Sequence, residues 1–340
     1  MNKFVFAPFV IVAALFSAQL RATDFSELFE QVNDAVVTIT IKQNSEQLSG
    51  EDMINVSVDG YGAGVIVDKS GLILTAAHVV NLADSMQVHL NTGQAFEAKT
   101  ISSFPFADLA LVRIINPTDD LPVATLGDSD TLLIGEEVLV IGTPSGLSQS
   151  LTVGHFSGRP ADTGTFNVAD TDFLQTDAAI MQGNSGGPMF NTRGEVMGIV
   201  SHFRTNTSGF SFIASSNMAR DLVLKHGDVW AGISVEPIGN ILARAINAPF
   251  QNSVLVQDVA SGSLAEKLGL RAGTISSVVN GRTLKLGGDV IISIGGQEVS
   301  FGKQGIEAAY AYMSSRKKGE TITMTVFRDG QKIKLSAPKP

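Results

Sequence analysis

The chain has 340 residues, a net charge of −9, 44% hydrophobic and 17% charged residues, and no cysteine. That composition fits packed globular domains and excludes disulfides, thiolate nucleophiles and cysteine zinc sites. No run of Lys and Arg stands out, which argues against nucleic acid as a partner, because phosphate binding needs clustered cations.

The N-terminus reads as an export signal. Lys3 precedes an apolar run from Phe4 to Phe16, interrupted by Pro8, and Ser17-Ala18-Gln19-Leu20-Arg21-Ala22 follows with small residues. Residues 1–22 are therefore expected to be removed after Ala22, giving a periplasmic protein with no stable membrane insertion. The other reading is an uncleaved anchor in the inner membrane, for which the run is shorter than the ~20 residues a spanning helix needs.

From Ala35 to about Val200 the pattern is of short strands between turns. Val37-Thr38-Ile39-Thr40-Ile41 alternates apolar and polar, as do Met86 to Leu90 before the turn residues Asn91-Thr92-Gly93. Further strands are expected at Gly64–Val67, Gly71–Leu74, Leu109–Ile114, Val138–Ile141 and Val196–Val200. The segment between Ile41 and Tyr61 reads as a loop of moderate length. Many strands with few helices predict a β-barrel or sandwich. A helix is expected over Asn217–Lys225, stopped by Gly227. The domain division follows there, with 23–227 as one domain and 228–340 as a second, smaller one. In the latter, Ile306, Tyr310 and Met313 have helical spacing, and strands Thr321–Phe327 and Lys332–Leu335 flank a turn at Asp329-Gly330.

Three segments carry the chemistry. They are Thr75-Ala76-Ala77-His78-Val79-Val80, Ala107-Asp108-Leu109-Ala110-Leu111-Val112 and Gly183-Asn184-Ser185-Gly186-Gly187-Pro188. A serine hydroxyl is a weak nucleophile. It needs an imidazole to take its proton and a carboxylate to hold that imidazole in the right tautomer. It also needs backbone N–H groups aimed at the developing oxyanion, here expected from Gly183, Asn184 and Ser185. Any one segment has an ordinary structural explanation. The three together, in the order His, Asp, Ser, match the chymotrypsin arrangement.

These motifs resemble those of the HtrA/Deg family of serine proteases. Gly62 to Val67, Ile141 to Leu147, Gln175 to Ile180 and Gly209 to Ala214 resemble further family segments. The resemblance implies a mainly β fold, a chymotrypsin-like domain of two perpendicular six-stranded barrels followed by a PDZ-like α+β domain. It implies His78, Asp108 and Ser185 as the catalytic triad, and Ile180 lining the pocket for the side chain before the cut bond, favouring small aliphatic residues. Arg159, in Ser157-Gly158-Arg159, matches a family relay position between the PDZ domain and the active site; the alternative is a solvated surface arginine.

In the second domain, Trp230-Ala231-Gly232-Ile233 resembles the PDZ carboxylate loop, which implies capture of protein C-termini by Ala231, Gly232 and Ile233. Ala231 stands where Leu is usual, and Thr274 to Gly288 is an insertion. No metal pattern is found and no cofactor is implied; the remaining histidines, His89, His155, His202 and His226, lack an acidic partner at ligand spacing. The expected activity is cleavage of unfolded or mislocalised polypeptides in the periplasm. Alternatives are a regulatory protease with one partner substrate, or a chaperone-like peptide-binding protein. The resemblance also implies a homotrimer, through Phe25 and Phe29.

Overall fold

The computed structural model describes residues 24–49, 52–146, 148–160, 171–203, 211–224, 229–246, 253–279, 281–299 and 303–340. The signal segment, Leu147, Gly209, Phe210 and His226 lie outside these. Among the described residues no helix is long and apolar enough to cross a membrane.

Helix α1 (Phe25–Val32) opens on Asp24, whose Oδ1 accepts from Ser26 N at 3.0 Å and Glu27 N at 3.4 Å. This satisfies two of the N–H groups that a helix start leaves unpaired. Leu28 and Val32 point into the core, and Phe25 and Phe29 pack half-buried against it.

Alternating strands then build the first barrel: β1 (Val36–Ser49), β2 (Asp52–Asp68), β3 (Leu72–Thr75), β4 (Ser85–His89), β5 (Ala95–Phe104) and β6 (Leu109–Ile114). They close in the order β1-β2-β3-β6-β5-β4. The inward residues Val37, Ile39, Ile66, Ile73, Val88 and Val112 are fully buried, each contributing roughly 1.5–3 kcal/mol of burial. The expected loop between Ile41 and Tyr61 is instead a long hairpin. The β1–β2 ladder runs without a break in register from Val36 opposite Val65 to Ser49 opposite Asp52. Residues 42–47 in its first arm are all polar, and the alternation Ile54-Asn55-Val56-Ser57-Val58 in its second arm is the sequence signal that the loop expectation passed over.

The second barrel contains β7 (Thr125–Leu126), β8 (Glu137–Gly142), β9 (Ser150–Gly158), β10 (Phe173–Thr176), β11 (Pro188–Asn191), β12 (Glu195–Phe203) and β13 (Ser211–Ser215). Six of these strands form a ring, β11-β8-β9-β10-β13-β12, closed by the β11–β12 pairing, with β7 attached in parallel to β12. A short helix, α2 (Ala77–Val80), follows β3. The helix expected over Asn217–Lys225 starts as α3 (Ser216–Met218) and widens into a π-helix over Ala219–Leu224; residues 225–228, with the junction at Gly227, lie outside the described residues.

The C-terminal part holds a sheet in the order β14-β15-β18-β20-β21, formed by β14 (Ile233–Ile238), β15 (Ser253–Val259), β18 (Val290–Ile294), β20 (Thr321–Arg328) and β21 (Gln331–Pro338). Strand β19 (Gln297–Glu298) adds to β18. Helices α4 (Asn240–Ala245), α5 (Leu264–Leu268) and α6 (Lys303–Ser315) complete it. The insertion at 274–288 is a separate hairpin of β16 (Ile275–Val279) and β17 (Arg282–Leu286), seated through buried Leu284 on the core around Ile238 and Leu255. The turn at Asp329-Gly330 has φ of 50° and 79°, the left-handed pair that a two-residue hairpin turn demands.

The two parts meet through specific contacts. Ser103 N donates to Val229 O at 3.1 Å, and Trp230 Nε1 donates to Asn81 O at 3.1 Å. Asn81 Nδ2 donates to Ile233 O at 2.6 Å. Tyr310 on α6 donates to Ser103 O at 2.7 Å, and its ring stacks on Phe104 with centroids 4.1 Å apart. Burial pushes the Tyr310 phenol well above its usual pKa, so it remains a donor. Tyr310→Phe keeps the stack but strands the Ser103 carbonyl. It is expected to cost about 1–3 kcal/mol, read as a lower midpoint in chemical denaturation; an unchanged midpoint would show that the bond contributes nothing to the join.

Candidate active site

His78 sits on α2, one turn beyond β3, and Asp108 sits at the start of β6. Strands β3 and β6 are ladder neighbours, so the two segments emerge side by side. Asp108 has φ of 51°, a left-handed conformation that Asp tolerates better than most residues. The turn is held by Ala107 N donating to Phe104 O at 3.1 Å and Asp108 N to Pro105 O at 3.3 Å. It aims the carboxylate back at α2. His78 Nδ1 lies 2.9 Å from Oδ1 and 2.8 Å from Oδ2, and His78 N donates to Oδ1 at 3.0 Å.

A further donor comes from the other barrel. Ser201 Oγ, on β12, donates to Asp108 Oδ2 at 2.5 Å. Burial pushes the Asp108 carboxyl up most strongly of any single influence, but the bonds from His78 and Ser201 outweigh it and leave the pKa below its usual value. Burial likewise pulls the His78 imidazole down, and the Asp108 bond and charge outweigh that, leaving His78 raised. The ring is still 47% exposed while the carboxylate is 13% exposed, so the free ring edge faces the cleft.

Ser185 lies between the barrels. Its carbonyl accepts from Ala63 N at 2.8 Å, and Gly186 N donates to Val200 O at 2.8 Å. Gly186 has φ of 83°, and a Cβ there would lie 2.1 Å from Thr75 Oγ1 and 2.3 Å from Ala63 O. Only glycine fits where the loop wedges against the first barrel. Ser185 Oγ donates to Ser201 O at 3.4 Å, and no hydrogen bond joins it to His78 among the described residues. Serine-to-imidazole bonds in unliganded sites are often longer than in the substrate complex.

The expected oxyanion donors divide. Gly183, with φ of 103°, turns its carbonyl to Thr143 N at 3.2 Å. The N–H groups of Gly183 and Ser185 meet no protein acceptor among the described residues. Asn184 does not belong with them: its N–H is committed to Met181 O at 3.0 Å, and its side chain is turned fully into the interior against Gly142. Ile180 is half-buried against Leu174, Phe156 and their neighbours in the second-barrel core, beside the exposed Met181.

Arg159 is exposed but paired. It pairs with Asp172, donates to Ser129 O at 2.7 Å and to Asp130 Oδ1 at 2.9 Å. His155, which had no acidic partner at ligand spacing, meets Asp177 through the β9–β10 pairing, with Nδ1 3.3 Å from Oδ2. His89 Nε2 contacts Thr40 Oγ1 at 3.1 Å.

In the second domain, Ala231 O accepts from Ala265 N at 3.0 Å and Gly232 O from Ala260 N at 2.8 Å, leaving the N–H groups of Ala231 and Gly232 without acceptors among the described residues. Gly232 has φ of 66°, and a Cβ would fall 2.2 Å from Ser263 Cβ, so the approach again requires glycine. The carbonyls that bend this loop come from its own residues, and Ile233 O is taken by Asn81. Ser201 and Asn81 are the functional neighbours that sequence reading missed, since each reaches its partner only across a barrel or domain boundary.

Comparison with known proteins agrees with the two-domain fold. Residues 62–199 match the family description "Trypsin-like peptidase domain" and residues 230–338 match "PDZ domain". A probable periplasmic serine endoprotease DegP-like of Marinomonas sp. (strain MWYL1) is 31% identical over 365 residues, covering 96% of this chain and 73% of that protein. A probable periplasmic serine protease do/HhoA-like of Haemophilus influenzae is 30% identical over 371 residues, covering 98% and 75%. Among solved structures, the HtrA-type protease AlgW with a decapeptide aligns at TM-score 0.52 and 27% identity, covering 92% of this chain and 97% of the other. The two closed barrels, the PDZ domain behind them and these relatives, matched over nearly all of this chain, together place the chain in the HtrA/DegP family of serine endoproteases.

Proposed function

We propose that the protein cleaves unfolded or mislocalised polypeptides in the periplasm through His78, Asp108 and Ser185, under control of its PDZ domain. The observation that carries this is the Asp108 carboxylate held on the His78 Nδ1 edge, with Ser185 on the adjoining loop. In this reading Ser185 Oγ swings from Ser201 O to His78 Nε2. It attacks the substrate carbonyl as the imidazole takes its proton, while Asp108 fixes the tautomer and stabilises the imidazolium. The N–H groups of Gly183 and Ser185 receive the oxyanion. The leaving amine takes the proton from His78, and water then releases the acyl group from Ser185. Ile180 borders the pocket for the residue before the cut bond.

Export by residues 1–22, the division near residue 227 and assembly as a homotrimer belong to the same reading. Light scattering on the purified protein tests the last.

A regulated variant of this activity is favoured by one feature. The groove between β14 and α6, where a C-terminal peptide would add as an edge strand, is roofed by Ser103, Pro105 and Phe106. That segment runs directly into Asp108. A peptide whose carboxylate is caught by the Ala231 and Gly232 N–H groups would press on this roof, and Arg159 would pass part of the change to the loops of the second barrel.

Ser185→Ala is expected to abolish cleavage of unfolded casein while leaving the fold, measured by circular dichroism, intact. Persistent proteolysis would sink the assignment of the nucleophile.

Asp108→Asn is expected to lower kcat by about 10⁴-fold, the loss that a wrong imidazole tautomer brings. The base works neutral, so wild-type kcat/KM falls as pH drops through the raised His78 pKa, above the ordinary ~6.5. In the variant the two raising influences go and burial remains, so the residual acid limb moves to lower pH. An acid limb that stays in place would mean that Asp108 does not set the His78 pKa.

A hydrophobic peptide offered as free acid is expected to bind Ser185→Ala protein clearly more tightly than its C-terminal amide, since hydrogen bonds to an ionised acceptor are about twice as strong. Peptide-stimulated turnover is expected to fall in Arg159→Ala. Equal affinity of acid and amide in calorimetry would exclude carboxylate capture; unaltered stimulation would exclude the relay.

A further inference from the structure

A second cleft, apart from the peptide groove, is lined by residues of the first barrel and of the C-terminal domain. Four cations line it: Lys99 and Arg113 from β5 and β6, Lys318 from the turn after α6, and Lys339 just beyond β21. Among the described residues no Asp or Glu lines it, in a chain whose net charge is −9. None of the four is in an ion pair among the described residues. Lys339 Nζ donates only to Arg316 O, at 3.0 Å, and Arg113 acts on Asp68 as the least of the influences on that carboxyl.

Lys99 stands directly opposite Arg113 in the β5–β6 register. Like charges facing each other across a ladder are destabilising, and the weak influence between Arg113 and Asp68 offsets this only in part. The floor of the cleft has a different character. Trp230, Leu264 and Ile322 supply apolar surface there. A small inorganic anion would use the cations and leave that floor bare.

We propose that this cleft is a binding site for an acidic polypeptide segment that also carries aliphatic or aromatic side chains, held with its carboxylates on Lys99, Arg113, Lys318 and Lys339 and its apolar side chains on Trp230. The cations come from both domains, so an occupied cleft ties the PDZ domain to the first barrel at the linker that joins them. The polypeptide-cleaving reading supplies the source of such segments, namely a stretch of substrate remote from the cut bond. Binding itself is measured without turnover, so failure here leaves the triad assignment untouched.

The chain has one tryptophan, and it lines the cleft, so intrinsic fluorescence reads occupancy directly. Full-length Ser185→Ala protein is titrated with a ten-residue peptide of alternating Glu and Leu, amidated at its C-terminus so that carboxylate capture by the PDZ loop is removed. A saturable change in Trp230 emission is expected, weakening as salt rises toward 0.5 M because exposed charges are screened within about 10 Å at 0.1 M. Lys99→Ser combined with Lys318→Ser is expected to weaken binding at least about fivefold, as loss of two exposed ion pairs implies. Lys99→Arg combined with Lys318→Arg is expected to retain it. Matched thermal midpoints separate lost binding from lost folding. The proposal is overturned by an equal response to an amidated ten-residue peptide of alternating Lys and Leu, by unchanged affinity in the serine double variant, or by inorganic phosphate or phosphatidylglycerol vesicles competing as well as the acidic peptide does.

Discussion

The site hangs on one carboxylate. Asp108 accepts from the His78 N–H, the His78 ring and the Ser201 hydroxyl. The first two lie in the first barrel and the third in the second. A carboxylate this little exposed is costly unless its lone pairs are used, and the donors come from both halves of the catalytic domain. The barrels are therefore locked in register where the cleft needs it. Ser201 serves twice, since its carbonyl also receives Ser185 Oγ. A substrate that draws Ser185 toward His78 breaks a long 3.4 Å bond and leaves the Asp108 anchor untouched. Under the proposed mechanism Ser185 is parked at little cost, and the contacts that orient His78 do not have to move.

Positioning of the nucleophile depends on the same boundary. The loop from Gly183 to Gly187 is fastened at both ends to strands of different barrels, through Ala63 N to Ser185 O and through the reciprocal bonds of Gly186 and Gly187 with Val200. With Gly186 pressed against Thr75 and Ala63, any side chain there must push the barrels apart. Asn184 fills the space behind the loop. Neither polar atom of its side chain has a hydrogen-bond partner among the described residues. That is an expense at the very turn that must keep two N–H groups free, and local cost of this kind persists only where the surrounding structure over-determines the conformation.

Much of this was legible from residue order alone. Strands such as Leu109–Ile114 are defined by short-range alternation and appear where expected. The His78, Asp108 and Ser185 segments carry the glycines and small residues that their turns require. What could not be read is non-local. The Ile41–Tyr61 segment alternates only in its second arm, from Ile54 to Val58, and the polar first arm pairs with it because β1 and β2 continue their ladder past the barrel. Asn184 looked like an oxyanion donor by adjacency, but the turn spends its N–H on Met181. Ser201 is an ordinary serine in a strand until the second barrel closes and brings it 2.5 Å from Asp108. Arg159 and His155 found their acidic partners only through strand pairing and loop approach.

The join between the domains has a mechanical consequence for the catalytic carboxylate. Ser103 is bonded on both sides by the C-terminal part of the chain, its N–H to Val229 and its carbonyl to Tyr310. Only Phe104 to Ala107 separate it from Asp108, and two of the turn's backbone bonds, to Phe104 O and Pro105 O, leave that stretch little slack. On the opposite side Asn81 is tied to Trp230 and Ile233, one turn of chain beyond His78. Both members of the acid–base pair are thus within five residues of a contact to the PDZ domain. Coupling between sites needs a contiguous element with two arrangements rather than mere proximity. The Ser103–Asp108 turn is suited to that role because it is short, stiff and built around a left-handed residue. Under the proposed regulation, a shift at Ser103 reaches Asp108 through only four intervening residues, so the Asp108–His78 contact is where it would be felt.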